Sequence, residues 1–122
     1  MISVLFCDAS QIIRKSFRRL MEFEKNIVIV GEAETFSDTV RLTNELKPNV
    51  VVLDCQMPED KAVSPSQIKE FFGTVESRLV AISAFIDDKT KRLAESFGAK
   101  SLVDKAHLVS ELVPAIRVAA TK

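Results

Sequence analysis

Five short apolar runs, rich in β-branched residues, recur along the chain, and no other feature restricts its fold as much. They are Ile2 to Phe6, Ile27 to Val30, Val50 to Leu53, Leu79 to Ile82 and a weaker Ser101 to Val103. Val50-Val51-Val52-Leu53 has no polar residue at alternate positions. A strand with one wet face would alternate, so this run is predicted to be buried on both faces, as in a parallel sheet covered by helices. The spacers carry helical signals. In the first, Ile12, Ile13, Phe17, Leu20 and Met21 fall on one stripe with Arg14, Lys15, Arg18 and Arg19 opposite. In the second, Thr35 followed three residues later by Asp38 resembles a capping box, Val40, Leu42 and Leu46 supply the apolar side, and Lys47-Pro48 stops the helix. The third opens with a loop, Met57 to Val63. Ser64-Pro65-Ser66-Gln67 then offers a cap and a first-turn proline, ahead of Ile68, Phe71, Phe72 and a Gly73 stop. The fourth starts at Asp87-Asp88, presents Leu93, Ala94 and Phe97, and ends on Gly98. The last runs from about Leu108 to Ala120 with Leu112, Val113 and Ile116 inward. Pro114 fits inside it if Ser110 caps the helix and otherwise implies a kink.

Strand and helix alternating five times, with right-handed crossovers, predict an α/β fold. It is a doubly wound five-stranded parallel sheet (order 2-1-3-4-5) with five helices, a flavodoxin-like three-layer sandwich. At 122 residues this is one domain, 1–122, and the 47% apolar content excludes disorder. Two cysteines are too few for a disulfide scaffold, and no apolar stretch reaches the ~18 residues of a membrane span. The apolar start has no basic region before it and no cleavage site after it, so the expected location is cytoplasmic, with no membrane partner. Seventeen basic residues against seventeen acidic ones argue against direct nucleic acid contact by this domain. That neutrality is uneven: residues 31–60 hold two basic and seven acidic residues, 91–122 six and three.

In such sheets ligands bind at the carboxyl ends of the strands. Those ends carry Cys7-Asp8, Gly31-Glu32, Asp54-Cys55-Gln56-Met57-Pro58, Ser83-Ala84-Phe85 and Asp104-Lys105. Asp8 and Asp54 would sit on neighbouring strands. Two close carboxylates in a poorly solvated rim call for a cation or a proton. Hard oxygen ligands in a hydrated pocket suit Mg²⁺. With the Ser83 hydroxyl and the Lys105 ammonium, the set describes a phosphoryl-handling site in which a carboxylate can be the nucleophile.

These residues resemble the receiver domains of two-component response regulators, over the whole chain. Val30-Gly31-Glu32-Ala33, Leu46 to Asp54, Met57-Pro58 and Ala115-Ile116-Arg117 are most similar to the branch with LuxR-type helix-turn-helix output domains. The resemblance implies a sensor histidine kinase as partner, Asp54 as phospho-acceptor, and Mg²⁺ held by Asp8, Asp54 and the backbone carbonyl of Gln56. Ser83 would bond a phosphoryl oxygen and Lys105 would pair with the acyl phosphate, biasing the face made by the fourth helix, fifth strand and fifth helix. It implies a switch and not an enzyme, a homodimer as an open arrangement, and a DNA-binding output domain outside this chain. On that reading the chain is a piece of a longer protein.

Several positions depart from the family pattern. Cys7 replaces the first of the usual acidic pair, which predicts weakened metal affinity. The stretch Glu59 to Pro65 lacks the usual Asp-Gly turn and is expected to take another path. Leu102 stands where the switch aromatic is usual, and Ala106 where many members have proline. Gln56 and Phe85 would flank the path of an attacking water, and bulky Phe85 predicts a long-lived acyl phosphate.

Each residue also has an ordinary reading. Alone, Asp8 and Asp54 are caps at strand ends, Ser83 a turn hydroxyl and Lys105 a surface lysine. The functional reading rests on their joint placement at four strand ends. The basic stripe reads as a solvated face or a kinase-docking surface, Cys7 and Cys55 as inert thiols or a soft-metal or redox pair, His107 as solvent-facing and Met57 as a loop anchor. A competing function is a pseudo-receiver, an interaction module independent of phosphorylation. A flavin binder needs a Ser/Thr/Gly-rich loop where Cys7-Asp8-Ala9-Ser10-Gln11 stands. An Asp-nucleophile phosphatase needs Asp at position 10, where the chain has Ser.

Overall fold

The computed structural model describes residues 1–57 and 63–121. Its elements alternate as β1 (Ile2–Cys7), α1 (Gln11–Met21), β2 (Ile27–Ala33), α2 (Phe36–Leu46), β3 (Val50–Asp54), α3 (Pro65–Gly73), β4 (Arg78–Ser83), α4 (Asp88–Ser96), β5 (Ser101–Asp104) and α5 (Leu108–Ala120). A single 3-10 turn, Lys105–His107, joins β5 to α5. The strands form one parallel sheet in the order β2-β1-β3-β4-β5, as the alternation predicts.

Period-two alternation sorts the strand residues into two cores. Val4, Phe6, Val50, Val52, Val80 and Ile82 face one layer with Phe17 and Met21 of α1 and Leu112 and Ile116 of α5. Leu5, Cys7, Val51, Leu53, Leu79 and Ala81 face the other, against Ile68 and Phe72 of α3 and Ala94 of α4. All five residues of β3 are buried, as a central strand covered on both faces must be. Phe6 stacks on Phe17 with ring centroids 3.8 Å apart, fixing α1 against the sheet.

The strands run one to three residues further than the apolar runs, because Cys7, Ala33, Asp54, Ser83 and Asp104 still pair with their neighbours. The side chains of Ser10, Thr35, Ser64 and Asp87 accept N–H groups of the first turns of α1 to α4, and Ser64 with Gln67 completes a capping box. Two apolar stripes differ from expectation. Ile12 is 77% exposed, because the buried phase of α1 runs through Phe17 and Met21. In α2 the buried positions are Thr39 and Thr43, whereas Leu46 is exposed. Each threonine hydroxyl donates to the carbonyl four residues back, so it enters the core already satisfied. Ser110 does not cap α5: the helix starts at Leu108 without a side-chain cap, and Ser110 Oγ lies 3.4 Å from the His107 carbonyl. Pro114 therefore sits well inside a continuous helix, on an exposed position where the Ser110 carbonyl it leaves without an i+4 donor can reach water. The stretch of residues 58–62, including Pro58 and most of the loop expected to take another path, lies outside the described residues.

Gly98 closes α4 at φ +83°, the left-handed cap its position predicts. A Cβ there would meet only Lys69 Cγ at 3.4 Å, so the cost of Gly98→Ala is backbone strain alone. The expected loss is about 1 kcal/mol, read as a shift in urea midpoint at unchanged slope.

Candidate functional site

Because all five strands are parallel and β1 and β3 are neighbours, their carboxyl ends bring Asp8 and Asp54 to one rim. Both are buried, at 1% and 6% exposure. Lys105, in the 3-10 turn after β5, reaches across to them: its Nζ is 2.7 Å from Asp8 Oδ2 and 3.1 Å from Asp54 Oδ2. Each carboxylate is oriented by its own loop. Asp8 Oδ1 accepts the Ser10 N–H at 2.8 Å, and Asp54 Oδ1 accepts the Gln56 N–H at 3.1 Å. One ammonium thus faces two carboxylates, a formal charge of minus one in a place water scarcely reaches.

The protonation equilibria follow from this. Burial pushes the Asp54 carboxyl above its ordinary range, and the Gln56 N–H and Lys105 pull it back only in part. Burial alone would lower Lys105. Its contacts with Asp8 and Asp54 outweigh that and hold its proton more tightly than in water. Asp8 Oδ2 is fully buried and accepts no well-aligned hydrogen bond among the described residues, although the ammonium is close. Distance without alignment is an ion pair, so charge holds Oδ2 to the ammonium.

Ser83 is also at its predicted strand end, where its hydroxyl serves as an acceptor. Fully buried, its Oγ accepts the Phe85 N–H at 3.0 Å. Gln56 and Phe85 line a common groove of about 380 Å³ with Asp87, Lys89, Thr90 and Leu93, and Phe85 is 62% exposed. A larger hollow of about 1060 Å³ lies at the opposite, amino-terminal end of the strands, lined by residues such as Lys47, Arg78 and Lys100. It holds none of the strand-end groups.

Cys7 and Cys55 are buried free thiols, both pushed up to about 12, first by burial and then by the neighbouring carboxylates, Asp8 and Asp54 respectively. Neutral thiols are poor nucleophiles and poor metal ligands, which favours the inert reading. No group of three or more His, Cys, Asp or Glu side chains able to hold a metal occurs among the described residues. A cation here would have two carboxylates and main-chain oxygen. Leu102 packs partly into the core on the α3 and α4 side, and His107 is exposed near Asp104 and Glu111.

Arg14 is the residue that sequence reasoning missed. Placed on the solvated stripe of α1, it instead folds back: its Nη1 donates to the Asp8 carbonyl at 2.6 Å and its Nε lies 3.4 Å from Glu32 Oε1. Arg18 meets the same Glu32 oxygen at 2.5 Å. The uneven charge along the sequence was the available signal, because the basic first helix had to meet the acidic stretch that opens at Glu32.

Residues 4–117 match the sequence model of a family described as the response regulator receiver domain. The chain is 31% identical over 120 residues to the transcriptional regulatory protein LiaR of Bacillus subtilis, covering 98% of this chain and 56% of that protein. It spans about half the length of the curated relatives it matches. Its backbone is similar to the signal receiver domain of the response regulator NarL from Mycobacterium tuberculosis, with a TM-score of 0.85 at 23% identity over 98% of this chain and 96% of that one. It is also similar to a DNA-binding response regulator of the LuxR family from Staphylococcus aureus, with a TM-score of 0.83 at 20% identity over 98% and 99%.

Proposed function

We propose, from the premise that this chain belongs to the response regulator receiver domain family, that Asp54 is its phospho-acceptor and a sensor histidine kinase its donor. The observation that supports this most directly is Lys105 lying within ion-pair distance of both Asp8 and Asp54, at 2.7 and 3.1 Å. An Asp54 oxygen forms the O–P bond as the P–N bond of a phosphohistidine breaks, and the leaving imidazole nitrogen keeps the electron pair. Gln56 N–H orients the carboxylate through its other oxygen. Lys105 stands where it can follow charge from carboxylate to phosphoryl oxygen. Ser83, whose Oγ accepts the Phe85 N–H, still has its own hydroxyl proton to donate to that oxygen. These moves bias the face formed by α4, β5 and α5.

The donor set fits Mg²⁺: two carboxylates on one rim and a residual negative charge that Lys105 leaves uncancelled. Asp8, Asp54 and the Gln56 carbonyl would hold the ion, which when bound neutralises phosphoryl oxygens. Cys7, standing before Asp8 in place of an acidic residue, supports the expectation of weak affinity. The domain acts as a switch, with no turnover on a second substrate, in the cytoplasm. Among the described residues no helix is long and apolar enough to cross a membrane. Its placement in the LuxR-type branch suggests control of a DNA-binding region elsewhere in a longer chain, with pairing of two copies as a further arrangement.

The test is incubation of the chain with acetyl phosphate or beryllofluoride, with MgCl₂ or with EDTA, followed by intact mass, peptide mapping and amide shifts. A Mg²⁺-dependent adduct mapping to Asp54 is the expected result. No adduct would leave the phosphorylation-independent interaction module as the better reading. Phe85 lines the groove shared with Gln56, so Phe85→Ala is expected to speed loss of the acyl phosphate several-fold by admitting water. Decay no faster than in the parent would count against a shielding role.

A further inference from the structure

We infer that Arg14 is a positioning residue for this site: anchored on Glu32, its guanidinium holds the Asp8 backbone so that Oδ2 faces Asp54 and Lys105. β1 ends at Cys7, so the Asp8 carbonyl lies beyond the last residue of that strand, where the chain turns into α1. Three other polar groups of Asp8 are already committed. Its N–H donates to the Ala33 carbonyl at 3.0 Å, Oδ1 accepts the Ser10 N–H, and Oδ2 faces the ammonium. The carbonyl takes Arg14 Nη1 at 2.6 Å, closer than the approach of the guanidinium to Glu32 or Glu34.

The guanidinium is itself fixed. Its side chain is 14% exposed, its Nε lies 3.4 Å from Glu32 Oε1, and its Nη2 lies 3.8 Å from Glu34 Oε2. One planar fork therefore ties the turn after β1 to the end of β2. A lysine, with a single ammonium, cannot match the carbonyl and Glu32 in that geometry. Second-layer groups that orient a metal-binding side chain commonly change affinity ~10-fold or more when removed. The inference deepens the proposed Mg²⁺ site and rests on that reading.

The sign of the effect separates positioning from its rivals. Removing a nearby positive charge would by itself tighten Mg²⁺ binding, and a merely structural arginine would lower melting temperature and leave binding unchanged. Positioning predicts weaker binding. The experiment is MgCl₂ titration of the ¹⁵N-labelled chain followed by amide shifts, for the parent, Arg14→Ala and Arg14→Lys, with thermal melts of each without metal. About a tenfold weaker Mg²⁺ affinity is expected for Arg14→Ala. Most of that loss should persist in Arg14→Lys, which keeps the charge and the helix. In both variants the metal-free Ser10 amide should shift. Parent-like or tighter binding in both variants overturns the inference and leaves the proposed site standing. A parent that binds no Mg²⁺ removes the proposed site, and the inference with it.

Discussion

Asp54→Asn is expected to abolish the acyl-phosphate adduct and, in the metal-free protein at neutral pH, to make the fold more stable by about 1–2 kcal/mol. The two effects share one cause. The acceptor is useful because it is a second carboxylate held beside Asp8 in a place water scarcely reaches, and that is also why it strains the fold. Burial raises its pKa above the ordinary 3.8, which states that the folded protein resists its ionisation. A raised folded value means that the penalty is absent below about 3.8 and appears as pH climbs through the folded pKa. The stability gap between variant and parent should therefore be small in acid, widen as pH rises above 3.8 and level off once the folded carboxyl has ionised. Urea melts at a series of pH values measure it, with the adduct assay run alongside. A variant less stable than the parent at neutral pH would show that Lys105 more than compensates the second charge.

Lys105→Ala should act in the opposite direction and more strongly. It leaves Asp8 and Asp54 buried side by side with no cation, and removing one partner of a buried ion pair typically costs about 3–5 kcal/mol. About 3 kcal/mol, or ~10 °C in Tm for a domain of this size, is the expected loss without metal. Lys105 has a raised folded pKa, so its contribution is present up to its ordinary 10.5 and lost only above it. The defect should hence be full at neutral pH. Added Mg²⁺ should recover much of it, since a ligand present at ~100 times its Kd adds about 2.7 kcal/mol. The same Mg²⁺ should shift the parent less, because there the ion competes with the resident ammonium. If Mg²⁺ leaves the melting temperature of Lys105→Ala unmoved, Asp8 and Asp54 do not form a cation site.

Much of this was legible in the chain. An unbroken run such as Val50 to Leu53 has one common solution, a central parallel strand, and the caps Ser10, Thr35, Ser64 and Asp87 mark where helices begin. Once the alternation is read, strand ends become neighbours and Asp8, Asp54 and Lys105 converge. What escaped depends on side-chain reach and local satisfaction. Thr39 and Thr43 are buried because their hydroxyls bond backward along α2, which a hydropathy pattern counts as polar. Arg14 carries the signature of a solvated arginine, and only the meeting of α1 with the end of β2 turns it inward. Ser83 was placed at the correct end, yet its pairing with Phe85 is a rotamer fact no spacing encodes.

That last pairing has a kinetic meaning. The Ser83 Oγ accepts the Phe85 N–H and still has its own proton to give, so a phosphoryl oxygen on Asp54 that took that proton would be joined, through one hydroxyl, to an amide two residues before the Asp87 cap of α4. In hydrogen-exchange language, the Phe85 N–H is a reporter on that hydroxyl, exposed by any turn of Ser83 that breaks the bond. Its protection factor would then read out whether the Ser83 hydroxyl answers phosphorylation by sharing its proton or by turning away, in the loop that leads to α4.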